Sequence, residues 1–212
     1  MKNLYLVRHG HTIWSETGGV AGRTDIPLSD SGEMAVTWLG QTFTAETLLT
    51  HWYCSPLQRT RQTSSILRTE LSVLSNHPLP EVCIDSRLVE LNFGDWEGMT
   101  WDNVHRDYEE VMRHWGEDWV NRSPPNGESF DEQVHRCNQW LNDWEQGLES
   151  HTDSSTMVVV HGGTIRAILC LCLNWSLSDA MTFNIDPASI CWLQQTTDAS
   201  VWQARMINSR RA

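Results

Sequence analysis

The chain has 212 residues, 40% of them apolar and 20% charged, the figures of an ordinary globular protein with room for one substantial core. A formal net charge of −12 argues against broad nucleic-acid binding, which needs a basic face. No run reaches the length of a membrane span or a signal core, and the six cysteines have no metal or redox spacing. The expectation is therefore a reduced, cytoplasmic protein of one domain, 1–212, needing no metal or other cofactor.

In chain order, residues 4–7 are a short apolar run followed by Arg8, His9 and Gly10, which predicts a buried strand emptying into a loop. Residues 13–28, rich in Gly, Thr and Ser, predict loop, and Ser29 caps a helix running to about residue 45. Residues 51–54 predict a second strand. Ser55 and Pro56 then open a helix, with serine at the cap and proline in the first turn, and this helix carries Arg59. Residues 81–84 predict a third strand, 87–98 a loop holding Glu90, and 101–120 an irregular helix. After the break at residues 123–127 comes a long amphipathic helix with Val134, Cys137, Leu141 and Trp144 on one face. Residues 156–160 are the most strand-like run and end at His161, Gly162 and Gly163, before another helix. Strands at 181–185, 190–194 and 201–207 complete the chain. This alternation predicts an α/β three-layer sandwich: a mostly parallel sheet with helices on both faces and a helical insertion, about 91–150, over the active-site edge.

In such sheets ligands sit at the carboxyl ends of the strands. Arg8 and His9, Arg59, Glu90 and His161 each follow a strand end, so two guanidiniums, two imidazoles and a carboxyl group converge if the strands are neighbours. Guanidinium forks suit a phosphoryl group, an uncharged imidazole is a nucleophile, and a carboxyl group can protonate a leaving alkoxide. Singly, each residue has a bland role: loop histidine, solvated helix arginine, surface carboxylate. In this order and at these strand ends, the combination is hard to obtain by accident.

The same segments resemble the blocks of the histidine phosphatase (phosphoglycerate mutase-like) superfamily over nearly the whole chain. The run from Leu6 to Gly10 matches its signature, Ser55 to Thr63 its second arginine block, Leu88 to Gly98 its acid block, and Val158 to Gly163 the block of its second histidine. The resemblance implies that His9 becomes phosphorylated, that Arg8, Arg59 and His161 bind the phosphate with help from the Gly162 backbone, that Glu90 is the proton donor, and that no metal is required. Two positions depart from the pattern: His11 stands where glutamate is frequent and Ser15 where asparagine is, Ser15 being left to offer one hydroxyl to the phosphate. Within the superfamily, residues 126–130, 190–192 and 207–210 are similar to the alpha-ribazole phosphatases, which implies a role in cobalamin nucleotide-loop assembly.

Three rivals remain. A mutase would need basic residues for a substrate carboxylate, and Glu90 is followed by Leu91 and Asn92 while the middle segment is acidic. A broad-specificity phosphatase of the same superfamily stays open. A phosphate-binding module without turnover would have lost His9 or Glu90, and both are present. The partner expected is a small phosphorylated molecule. Trp96, Trp101, Trp115 and Trp119 are expected to line its leaving-group pocket, the bland alternative being that they are core of a small insertion.

Overall fold

The structure, a computed structural model, describes residues 1–44, 47–148, 153–196 and 201–211. Its centre is a six-stranded sheet of β1 (Lys2–Arg8), β2 (His51–Cys54), β3 (Val82–Ile84), β4 (Ser154–Val160), β5 (Ile190–Gln195) and β6 (Trp202–Ser209), in the order β3-β2-β4-β1-β5-β6. The first four in that order run parallel, β5 runs antiparallel to β1, and β6, antiparallel to β5, returns to the direction of the first four. This is the α/β class read from the sequence.

The alternation of side chains along a strand divides the core. Leu4 and Leu6 of β1 and Val158 and Val160 of β4 pack on one face, with α6 (Phe130–Gly147) and α7 (Gly162–Leu173). Val7, Met157, Val159, Trp52 and Cys54 pack on the other, against α2 (Asp30–Gln41) and α3 (Gln58–Leu74). Because β1 and β4 are apolar on both faces, they read as continuous runs, as buried parallel strands do. Val134, Cys137, Leu141 and Trp144 form the buried stripe of α6 as the periodicity predicts. Its start is fixed by a reciprocal cap between Ser129 and Glu132. Ser29 likewise caps α2, which ends at Gln41 rather than near 45.

Several local expectations are corrected. Residues 13–28 are not all loop, because Thr12 and Ser15 cap each other and nucleate the short α1 (Ile13–Glu16). Ser55 does not cap α3, which begins at Gln58; the Gln58 N–H is held by the Asp25 carboxylate at 2.5 Å instead. The helix expected over 101–120 breaks at Tyr108 into α4 (Trp101–Asp107) and α5 (Glu109–Glu117). Residues 181–185 are not a strand. A 3-10 turn over Leu177–Met181 takes the first of them, and the carbonyls of Phe183 and Ile185 accept from the Arg166 and Arg8 guanidiniums instead of from a neighbouring strand. No helix among the described residues is long and apolar enough to cross a membrane.

Candidate active site

Strand register brings the site together. Arg8 lies opposite Val160 in the β1–β4 pair, so the next residues, His9 and His161, leave adjacent strands side by side, with ring centroids 5.2 Å apart. Both rings are buried. Cys54 of β2 lies opposite Val159, which puts Ser55 next to His161, and the Ser55 hydroxyl contacts His161 Nε2 at 2.8 Å. Ser55 is thus spent on the histidine and not on a helix cap.

The His9 ring has a defined tautomer. Nδ1 is 2.7 Å from the Gly10 carbonyl oxygen and must donate to it, so Nε2 carries the lone pair. Arg59, in the first turn of α3 and fully buried, donates from Nε to His9 Nε2 at 3.3 Å. Its other nitrogens donate to the carbonyls of Thr24 and Gly22 at 2.9 and 2.7 Å. That loop is clamped from its far side by the Glu97 carboxylate, which accepts from the Arg23 and Thr24 N–H groups at 2.8 and 2.7 Å. Burial, then the charges of Arg59 and Arg8, hold His9 well below the ordinary histidine range. Burial and the neighbouring Arg59, His9 and Arg8 do the same to His161. Two uncharged imidazoles therefore sit among fixed cations.

Glu90 enters from the loop after β3. Its Oε1 accepts from the Leu91 N–H at 2.9 Å and from the Gln133 amide at 3.1 Å, and its Oε2 accepts from the Gly163 N–H at 3.1 Å. A Cβ at 163 would lie 2.4 Å from Glu90 Oε1, so any other residue there would push the carboxylate off the Gly163 N–H. Arg136 of α6 fixes the loop by donating to the carbonyls of Arg87, Val89 and Glu90.

Arg8, His9, Glu90, Gln133, Gly162 and Arg166 share one pocket of about 250 Å³. Burial lowers Arg8 to about 10, with Glu90 opposing, and lowers Arg166 as well. The pocket's outer wall is aromatic. Trp101 and Trp115 stack with ring centroids 6.4 Å apart, and Trp119 packs on Phe130 at 4.9 Å. Trp96 is the exception to the expected aromatic lining: it is fully buried beneath, meeting Trp101, Tyr108 and Trp115 edge-on.

Arg8, His9, Arg59, Glu90 and His161 are thus brought together, with Gly162 at the pocket wall. Ser15 also lines the pocket, but its hydroxyl donates to the Thr12 carbonyl and accepts from the Thr12 N–H. The Ser15 hydroxyl, expected to reach the phosphate, is engaged in this cap at the pocket wall. His11 passes its backbone oxygen to Ser29 N–H, and its side chain is half-buried.

Arg166 and Gln133 were not among the sequence candidates. Arg166 lies one helical turn after Gly162, a spacing that predicts a shared face. Gln133 interrupts the apolar stripe of α6, and a polar residue at a stripe position is itself a signal.

The family model of the histidine phosphatase superfamily (branch 1) matches residues 4–209, and the chain belongs to that superfamily. It is 28% identical to the adenosylcobalamin/alpha-ribazole phosphatase of Salmonella typhimurium over 98% of this chain and 96% of that one. It is 32% identical to phosphoserine phosphatase 1 of Hydrogenobacter thermophilus over 89% of this chain and 84% of that one. Among solved structures, the alpha-ribazole phosphatase from Shigella flexneri has the same fold, with a TM-score of 0.82 at 23% identity over 99% of this chain and 97% of that one.

Proposed function

We propose that the protein is a phosphomonoesterase working through a phosphohistidine on His9, with alpha-ribazole 5'-phosphate or a cobalamin 5'-phosphate as substrate. The observation that carries the phosphatase reading is the uncharged His9 imidazole, whose Nε2 lone pair is held only by a long bond from Arg59 Nε, with Arg8 and His161 beside it. Arg8 Nε and His161 Nδ1 are buried nitrogens without hydrogen-bond partners among the described residues. Buried polar groups normally have partners, and phosphoryl oxygens supply acceptors.

The phosphate docks against Arg8, Arg59, His161 and the Gly162 backbone at the start of α7, where the helix N-terminus favours an anion. As Arg59 Nε–H turns from His9 Nε2 to a phosphoryl oxygen, the freed Nε2 lone pair attacks phosphorus in line with the ester oxygen. The P–O bond breaks, and Glu90 gives its proton to the departing alkoxide. Water, deprotonated by the same carboxylate, then forms the new P–O bond as the P–Nε2 bond breaks and its electron pair returns to the ring. Fixed donors stabilise the charge on the transferring group without reorganising.

The aromatic wall of Trp101, Trp115 and Trp119 supports a flat, largely uncharged leaving group such as a benzimidazole nucleoside. One observation favours a second reading. Arg166 places a cation on the pocket wall that the middle segment alone lacks, and it would suit a leaving group carrying a carboxylate, such as phosphoserine. Six free thiols fit a reducing, cytoplasmic setting.

A phosphate-release panel decides between the readings. Alpha-ribazole 5'-phosphate is expected to give the highest kcat/KM against phosphoserine, phosphoglycerates, sugar phosphates and nucleotides, with acid-labile phosphate trapped on His9. Highest efficiency on phosphoserine overturns the substrate, and phosphate trapped on another residue overturns the mechanism.

A further inference from the structure

We propose that Gln133 is a positioning residue which decides that the acid proton of Glu90 rides on Oε2. The inference rests on the reading of Glu90 as the proton donor and names the device that orients it.

Gln133 is an amide in the apolar stripe of α6 and is fully buried. Its orientation follows from the hydrogen bonds around it. Thr164 Oγ1 donates its single proton towards the Val89 carbonyl at 3.0 Å, so towards Gln133, 3.2 Å away, it can only accept. The atom of Gln133 facing Thr164 is therefore Nε2, and the same Nε2 donates to Glu90 Oε1 at 3.1 Å. The opposite flip would place two acceptors against each other at both contacts.

The two oxygens of Glu90 are consequently unequal. Oε1 accepts two N–H groups, from Gln133 and Leu91, whereas Oε2 accepts one, from Gly163. N–H donors favour negative charge on the oxygen they reach, so Oε1, with two of them, keeps the charge and the proton is left to Oε2, with one. On transfer the Oε2–H bond breaks, the proton goes to the ester oxygen as the P–O bond cleaves, and the negative charge left on Glu90 falls on a carboxylate already held by three N–H groups. In the second half the water proton returns to Oε2.

The stability of the core does not account for the amide. Gln133 Oε1 is buried without a partner among the described residues, an arrangement that costs stability, and a methionine would fill the stripe without that cost. The amide has a use only through its N–H groups, which point at Glu90 and at the hydroxyl that orients it.

The experiment compares Gln133→Met, Thr164→Val, Glu90→Gln and the double variant Gln133→Met/Glu90→Gln on an alkyl phosphate and on p-nitrophenyl phosphate, whose leaving group departs without a proton. Gln133→Met is expected to lose about 10-fold in kcat on the alkyl ester, a part of what a general acid contributes. Its KM should change little, and its loss on the aryl ester should stay within about 2-fold. Thr164→Val, which frees the amide to turn, shows the same split to a smaller degree. In the Glu90→Gln background Gln133→Met adds no further loss on the alkyl ester, as coupled residues require. Parallel losses on both esters, or full additivity in the double variant, overturn the proposal and make Gln133 structural. Should Gln133→Met fail to fold, Thr164→Val decides alone: the split supports the proposal and its absence overturns it. If Glu90→Gln itself loses equally on both esters, the acid assignment falls, a failure distinct from an intact Glu90 split with none at Gln133.

Discussion

His9 and His161 are buried uncharged, at 5% and 0% exposure, and this ties the stability of the protein to pH. In the unfolded chain each imidazole takes up a proton near pH 6.5. In the folded chain burial and the adjacent arginines hold both well below that value. The unfolded state thus binds more protons as pH falls, so stability is full above about 6.5 and declines below it, by about 1.4 kcal/mol per pH unit for each histidine. Urea midpoints measured at pH 7.5, 6.5 and 5.5 are expected to fall in the last interval, and His161→Gln to lose about half of that decline. A flat midpoint across the range refutes buried neutral histidines. At this scale the sequence displayed what lies next to strand ends. Arg8, His9 and His161 extend β1 and β4 directly, and a two-residue reading frame suffices to place them. Arg166 and Gln133 escaped because their direction depends on where α7 and α6 dock, which no local pattern states. The cap expected at Ser55 failed for a related reason: a hydroxyl has several partners within reach, and only the folded chain selects His161 for this one.

The elements that shape the leaving-group side are α4 and α5, joined at Tyr108 and resting on the buried Trp96. Their class was legible in the sequence, and so was their place between the acid loop and α6. The break at Tyr108 was not, since neither glycine nor proline marks it. The strand expected at 181–185 failed because its carbonyls are taken by arginines distant in sequence, Arg8 and Arg166, and alternation cannot register such partners. Trp101 and Trp115 stack as a pair, so shortening one leaves the other with a bare face. Trp101→Leu, Trp115→Leu and Trp119→Leu keep much of the apolar volume. At least one of them is expected to lose about 10-fold in kcat/KM on alpha-ribazole 5'-phosphate, the worth of roughly one aromatic contact at 1.4 kcal/mol. The same variant should hold its rate on p-nitrophenyl phosphate. Parallel changes on both substrates for all three variants would remove the wall from substrate selection and with it the support for a benzimidazole leaving group.

Over the whole molecule the charge is −12, yet the carboxyl edge of the sheet gathers cations. Arg8 and Arg166 lie within 3.5 Å of a single point, the position a Gly162 side chain would take, and Arg59 approaches His9 from the other side. None of the three is in an ion pair with a carboxylate among the described residues. With Glu90 carrying its proton as the acid, three guanidiniums face the phosphomonoester dianion, offset at longer range by Asp186 beside Arg8 and by Asp25 and Glu97 beside Arg59. The site can therefore neutralise its substrate with side chains alone, in a buried setting where each charge acts more strongly than in water. No group of three or more histidine, cysteine or acidic side chains among the described residues is placed to hold a metal ion. Glu90, a carboxylate lining the pocket, has both oxygens engaged by N–H donors. Exhaustive chelation followed by assay in metal-free buffer is accordingly expected to leave kcat and KM unchanged, whereas Arg59→Met should abolish turnover with or without added divalent ions. Activity that disappears on chelation and returns only with a divalent ion would show that the arginines do not carry the phosphate charge alone.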